Sequence, residues 1–165
     1  MRLLLVQLYR LVEVGTRDIS PLKWDVLVTP GIPIATSDLP PGVKQATFQA
    51  IASTLIYGKR DAVLVDAFMT VKQADALVDW VAASGKNLTT IYITHGHGDH
   101  WFGIGALLER FPNARALATP NVVRVMRQHA SPELLERIWK ASFPGQIPDH
   151  LVIVEELKGN VIVVS

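Results

Sequence analysis

Thr89-Thr90-Ile91-Tyr92-Ile93-Thr94-His95-Gly96-His97-Gly98-Asp99-His100 decides the reading of this chain. Its first half is β-branched and aromatic, the composition that fits a pleated, half-buried surface, so it predicts a strand. Its second half gathers three of the chain's five histidines into six residues, joined by one aspartate and spaced by two glycines. A lone histidine is usually a satisfied core or surface group. Three imidazoles this close carry a desolvation and repulsion cost unless a cation organises them. The segment therefore predicts a strand whose C-terminal end delivers a metal-binding loop.

Spacing divides the donors. His95 and His97, with one residue between them, can converge on one ion, while Asp99 and His100 can turn toward a second ion nearby. Gly96 and Gly98 are read as giving the backbone its freedom to turn. Two adjacent divalent cations would share a water, lower its pKa toward neutrality and present hydroxide to an ester, thioester, amide or phosphoester. The chain has no cysteine, so any ion must be held by imidazole and carboxylate.

Working outward, Thr54 to Tyr57 and Ala62 to Asp66 read as two strands joined by the Gly58-Lys59-Arg60-Asp61 turn. Thr70-Val71-Lys72-Gln73 has the form of a capping box. Val71, Ala74, Leu77, Val78, Val81 and Ala82 then share one helical face, which predicts a helix over about 70–84. Downstream, a helix is expected from His100 or Trp101 to Arg110, stopped at Phe111-Pro112. Ala114 to Ala118 reads as a strand, and Thr119-Pro120 and Ser131-Pro132 each open a helix with proline at its first position. Leu151 to Leu157 and Val161 to Ser165 read as strands, the latter an apolar run expected to be covered on both faces.

Thr94-His95-Gly96-His97-Gly98-Asp99-His100 resembles the T-H-x-H-x-D-H signature of the metallo-β-lactamase superfamily. The order of elements fits too: a strand ending in Asp66, a helix, then the strand that carries the signature. The resemblance implies an α/β fold and covers residues 44–165, the N-terminal half of an αββα sandwich, truncated before its second sheet. It implies zinc as cofactor, in one or two ions, with His95 and His97 as ligands of the first and Asp99 and His100 as ligands of the second. Asp99 would also orient the nucleophilic water, as the catalytic residue, and Asp66 would support the loop.

The family's complete site takes a further histidine, a bridging aspartate and a final histidine from later loops, and none of these is present. His150 precedes a strand where the family places its histidine after one, and His129 reads as a solvated or dipole-stabilised residue near a helix C-terminus. Trp101 and Phe102 read as core or as pocket wall. Two functions are weighed. One is a zinc hydrolase using a metal-bound hydroxide on a small-molecule substrate. The other is a non-catalytic fragment that binds metal weakly and needs a partner or a C-terminal half. Two protein ligands per ion, against three at a catalytic zinc, lead us to expect weak or absent catalysis from these residues alone.

A chain of 165 residues, 49% hydrophobic, is one domain long and can bury a core. Sixteen basic against fifteen acidic residues, with no basic run, make nucleic acid an unexpected partner. No stretch is apolar enough for a membrane span, and Gln7 and Arg10 interrupt a faint leader-like start at Met1 to Val6, so a cytoplasmic protein is expected. Residues 1–43 read as an irregular N-terminal extension, punctuated by prolines, with a first strand at Val26 to Thr29, and 44–165 as the partial domain. Self-association through an uncovered sheet face is expected.

Overall fold

The hairpin read around Gly58 lies within the main sheet. Strands β4 (Ile51–Tyr57) and β5 (Asp61–Val65) pair antiparallel, with Thr54 opposite Val65 and Tyr57 opposite Ala62. The computed structural model describes residues 21–165, so the leader-like start at Met1 to Val6 lies outside the described residues. Of the 1–43 segment, the described part holds β1 (Lys23–Thr29) and β2 (Ile32–Ile34). The strand read at Val26 is β1, and it pairs along its whole length with β4. The β2 strand pairs instead with β3 (Ala46–Phe48), forming a separate two-stranded ribbon.

After β5 the chain crosses over through helix α1 (Val71–Ala83) to β6 (Asn87–Ile93), which lies parallel to β5. The capping box operates as the sequence implies: the Thr70 hydroxyl accepts from the Gln73 amide, and the Gln73 side chain accepts from the Thr70 amide. Helix α2 (Ile104–Arg110) leads to β7 (Arg115–Ala118), parallel to β6. Helix α3 (Pro120–His129) follows, then α4 (Pro132–Leu134), which runs on as a π-helical turn over Leu135–Lys140. A two-residue β8 (Glu155–Glu156) completes a six-stranded sheet of order β1-β4-β5-β6-β7-β8.

The core lies between this sheet and its helices: Leu55, Leu64, Ile91 and Ile93 from the strands meet Leu77, Val81, Ile104 and Leu107 from α1 and α2. Each such side chain, fully buried, contributes about 1.5–3 kcal/mol. Among the described residues no buried side-chain nitrogen or oxygen lacks a hydrogen-bond partner. No helix among them is long and apolar enough to cross a membrane.

Three expectations are corrected. The helix after the histidine loop begins at Ile104 rather than at His100 or Trp101, because residues 98–100 form a 3₁₀ turn and Gly103 is tied by its N–H to the Phe68 carbonyl. Of Leu151 to Leu157 only Glu155 and Glu156 form a strand, since their partners Leu117 and Ala118 are the last residues of β7. Leu151, Val152 and Ile153 pack on the core instead. Val161 to Ser165 forms no strand, and Val161 and Val163 are 70% and 81% exposed, so this run is not covered on both faces. Its last residue lies against the β4–β5 turn, where the Ser165 carbonyl accepts from the amides of Arg60 and Asp61.

Candidate metal centre

The histidine loop leaves the C-terminal end of β6, at the end of two parallel strands where α/β sheets present their ligands. The 3₁₀ turn over Gly98–His100 folds the loop back on itself, with His100 N–H bonded to the His97 carbonyl. The His95 and His97 rings lie 4.1 Å apart, centroid to centroid, and those of His95 and His100 5.3 Å apart. The nearest Asp99 carboxylate oxygen is 3.6 Å from His100 Nε2. All four residues singled out from the sequence are thus brought together. Among the described residues, however, no three histidine, aspartate or glutamate side chains converge as a ready-made ion cage.

Asp66 organises the loop from the end of β5. Its carboxylate accepts from the Thr94 amide at 2.9 Å, from the Thr94 hydroxyl at 2.7 Å and from His100 Nδ1 at 2.9 Å. A carboxylate only accepts, so Nδ1 carries a hydrogen in either charge state of His100, and in the neutral ring the Nε2 lone pair is free. Such a carboxylate behind an imidazole is the arrangement that orients metal-binding histidines. Asp66 and Phe68 hold φ of 65° and 61°, left-handed conformations costing roughly 1–2 kcal/mol each. Bonds from the Asp66 amide to the Tyr92 carbonyl and from the Ala67 amide to the His100 carbonyl hold this segment against the loop.

The glycines have a different role from the one read in the sequence. Neither Gly96 nor Gly98 has a left-handed backbone; each is needed because a Cβ has nowhere to go. A Cβ on Gly96 would sit 2.5 Å from Cβ of Val125 and 2.9 Å from the Val122 carbonyl, and one on Gly98 would sit 2.3 Å from the Phe102 ring. The loop is therefore pressed between α3 and the core pair Trp101 and Phe102. Both of these are fully buried, and Trp101 donates its indole N–H to the Gly96 carbonyl at 2.9 Å.

His129, read from the sequence as a solvated or dipole-stabilised residue near a helix C-terminus, is the last residue of α3 and also borders the loop. It is half-buried rather than solvated, its ring 4.6 Å from that of His97, and its Nδ1 accepts the Trp139 indole N–H at 3.2 Å. The available signal was its position seven residues after Val122 and four after Val125, on the face of α3 that meets Gly96. His150 is exposed and lines another groove, with Asp75, Gly105 and Glu109.

The imidazoles differ in basicity. Partial desolvation of the largely exposed His97 ring, followed by the neighbouring His95, holds it below the ordinary imidazole value against the pull of Asp99. Burial, followed by His97, does the same to His129. His100 is pushed up, because its hydrogen bond to Asp66 outweighs its burial. Beside His97 and Asp99 an open groove of about 460 Å³ is lined by Ile34, Thr47 and Phe48 of the β2–β3 ribbon, by Gln49 just after it and by Trp139.

Residues 46–164 match the metallo-beta-lactamase superfamily, and the chain belongs to it. Over 108 residues it is 31% identical to a hydroxyacylglutathione hydrolase of Francisella tularensis subsp. novicida, a match covering 62% of this chain and 41% of that protein. A hydroxyacylglutathione hydrolase 1 of Vibrio vulnificus is 30% identical over 60 residues, or 36% of this chain and 23% of that one. The chain thus spans about two fifths of the length of the Francisella relative. Among solved structures, the metallo-beta-lactamase SMB-1 bound to 2-mercaptoethanesulfonate superposes with a TM-score of 0.50 at 26% identity, covering 68% of this chain and 42% of that one.

Proposed function

We propose that the loop holds zinc through His95, His97, Asp99 and His100, and that the chain carries the first part of the centre of a zinc-dependent hydrolase. The observation that carries this reading is the Asp66–His100 hydrogen bond, which turns Nε2 of His100 toward Asp99, where the neutral ring offers a lone pair. Two donors about 2.1 Å from one tetrahedral ion stand about 3.4 Å apart. The 3.6 Å between His100 Nε2 and Asp99 is close to that separation and too long for a hydrogen bond. Depressed basicity at His97 keeps its ring neutral at neutral pH, the form that binds a metal.

Zinc, when held there, supplies Lewis acidity and lowers the pKa of water toward neutrality. Asp99, buried at the floor of the groove, accepts a hydrogen bond from the attacking water and orients it. Phe48, Ile34 and Trp139 seat the apolar part of a small-molecule substrate. Water oxygen bonds to the acyl carbon, the bond to the leaving group breaks, and the leaving group keeps the electron pair and takes up a proton. Thioesters of glutathione are the first substrates to try, on the strength of the relatives' names.

The experiment is a turnover panel of thioester, lactone, lactam and phosphodiester substrates on the zinc-loaded chain. Slow turnover that disappears with a chelator and in Asp99→Ala supports the hydrolase reading. Zinc uptake without turnover above background on any member supports the other reading, a metal-holding unit that needs a complementary half. Absence of zinc uptake contradicts both.

A further inference from the structure

We propose that His129 is a positioning residue for His97, kept out of the ligand set by Trp139. The indole N–H can only donate, so His129 Nδ1, 3.2 Å away, must be the acceptor and the ring hydrogen must sit on Nε2. An imidazole in that state has its one lone pair engaged and none left for a cation. This matters because four imidazoles are gathered at the loop, and an unconstrained fourth would compete as a ligand. Tautomers sort them. In its neutral form His100 has its hydrogen on Nδ1 and its Nε2 lone pair free, and His129 has its lone pair taken.

What His129 contributes is its ring. Its centroid lies 4.6 Å from that of His97 in a tilted contact with an interplanar angle of 32°, so it fills the space beside the His97 side chain. The support behind it is rigid. Trp139 is buried, its ring 5.2 Å from Phe102, and Phe102 is the residue that fills the space beside Gly98. Helix α3 brings His129 to this place by packing Val122 and Val125 against Gly96, two turns and one turn earlier on the same face. A relay therefore runs from the core through Trp139 and His129 to the exposed His97.

The proposal rests on the zinc reading only for its consequence, and it is tested without metal. Long-range ¹H–¹⁵N correlation spectra of the metal-free chain should show His129 with its hydrogen on Nε2, a state lost in Trp139→Phe. His97 ring signals should stay sharp in wild type and in His129→Phe, which keeps a ring in place, and broaden through rotamer averaging in His129→Ala. With zinc, His129→Ala should bind about 10-fold more weakly and His129→Phe about as well as wild type. A wild-type His129 hydrogen on Nδ1 overturns the proposal without need of any variant. So do His97 signals in His129→Ala that match wild type, or a His129→Phe chain as averaged as the Ala variant. If wild type takes up no zinc, the zinc reading fails while the metal-free spectra still decide the role of His129.

Discussion

The Asp66 carboxylate receives the Nδ1 hydrogen of His100 at 2.9 Å, and through the same oxygen it holds the hydroxyl of Thr94. One side chain at the end of β5 thus fixes both the start of the histidine loop and the tautomer of its last member. Asp66→Asn should break this arrangement, because the amide nitrogen cannot accept and would face His100 Nδ1 as a donor. The hydrogen then moves to Nε2, where it blocks coordination. Zinc affinity, measured by competition with a chromophoric chelator, should fall about 10–100-fold. Unchanged affinity would show that Asp66 does not act through His100.

Gly96→Ala should destabilise the fold by about 1–3 kcal/mol, because Cβ of Val125 and the Val122 carbonyl both stand in the way and neither is the free end of a flexible side chain. Gly105→Ala is the contrast. It lies inside α2 with only ordinary contacts around the added carbon, so it should stabilise by up to about 1 kcal/mol. Thermal melts that move in opposite directions support this account; a Gly96→Ala melt equal to wild type contradicts it.

Asp61 gives the stability its pH dependence at the far end of the sheet. Its carboxylate accepts from Arg60, Asn87 and the Ser165 hydroxyl, and the Arg60 guanidinium, first among these, holds it well below the usual carboxylate range. A folded-state pKa lowered in this way contributes stability above the unfolded value of about 3.9, and that contribution is lost as pH falls toward the folded value. Asp61→Asn should therefore be less stable than wild type at pH 7, and the gap should narrow below about pH 4. A gap independent of pH would count against the assignment.

On β1, Trp24, Val26 and Val28 occupy alternate positions and are 67%, 43% and 61% exposed. Their partners on β4, Ile56, Thr54 and Ala52, extend the same face. An apolar strip of this kind favours self-association, so we expect light scattering to show dimers or larger species and Trp24→Lys to shift the chain toward monomer. A wild-type monomer at high micromolar concentration that binds no hydrophobic dye would contradict the expectation.

Much of this arrangement was legible in the sequence wherever a local pattern sets the structure. The Thr70–Gln73 capping box, the Gly58 turn and the β-branched strand read at Thr89 to Thr94 are determined within a few residues. The first two are found where their patterns put them, while the strand runs from Asn87 to Ile93. The loop itself was legible because three histidines and an aspartate within six residues are costly to hold together without a cation. What escaped were contacts made across the fold. Nothing local in Val161 to Ser165 reveals that it has no pairing strand, and nothing local in Gly96 reveals that α3 presses on it. The helix C-terminus at His129 is legible from its local pattern, but its contacts are not: its partners His97 and Trp139 lie 32 residues before it and 10 after it.

The most direct test of the central claim is elemental analysis of zinc in the purified chain and in the His95→Ala, His97→Ala double variant, with circular dichroism on both. His95 and His97 are themselves exposed and contribute little to the core, so the helical signal should be nearly the same in the two proteins. We expect the wild-type chain to retain zinc and the double variant to retain none. Equal zinc content in the two would mean that the histidine loop is not the metal site.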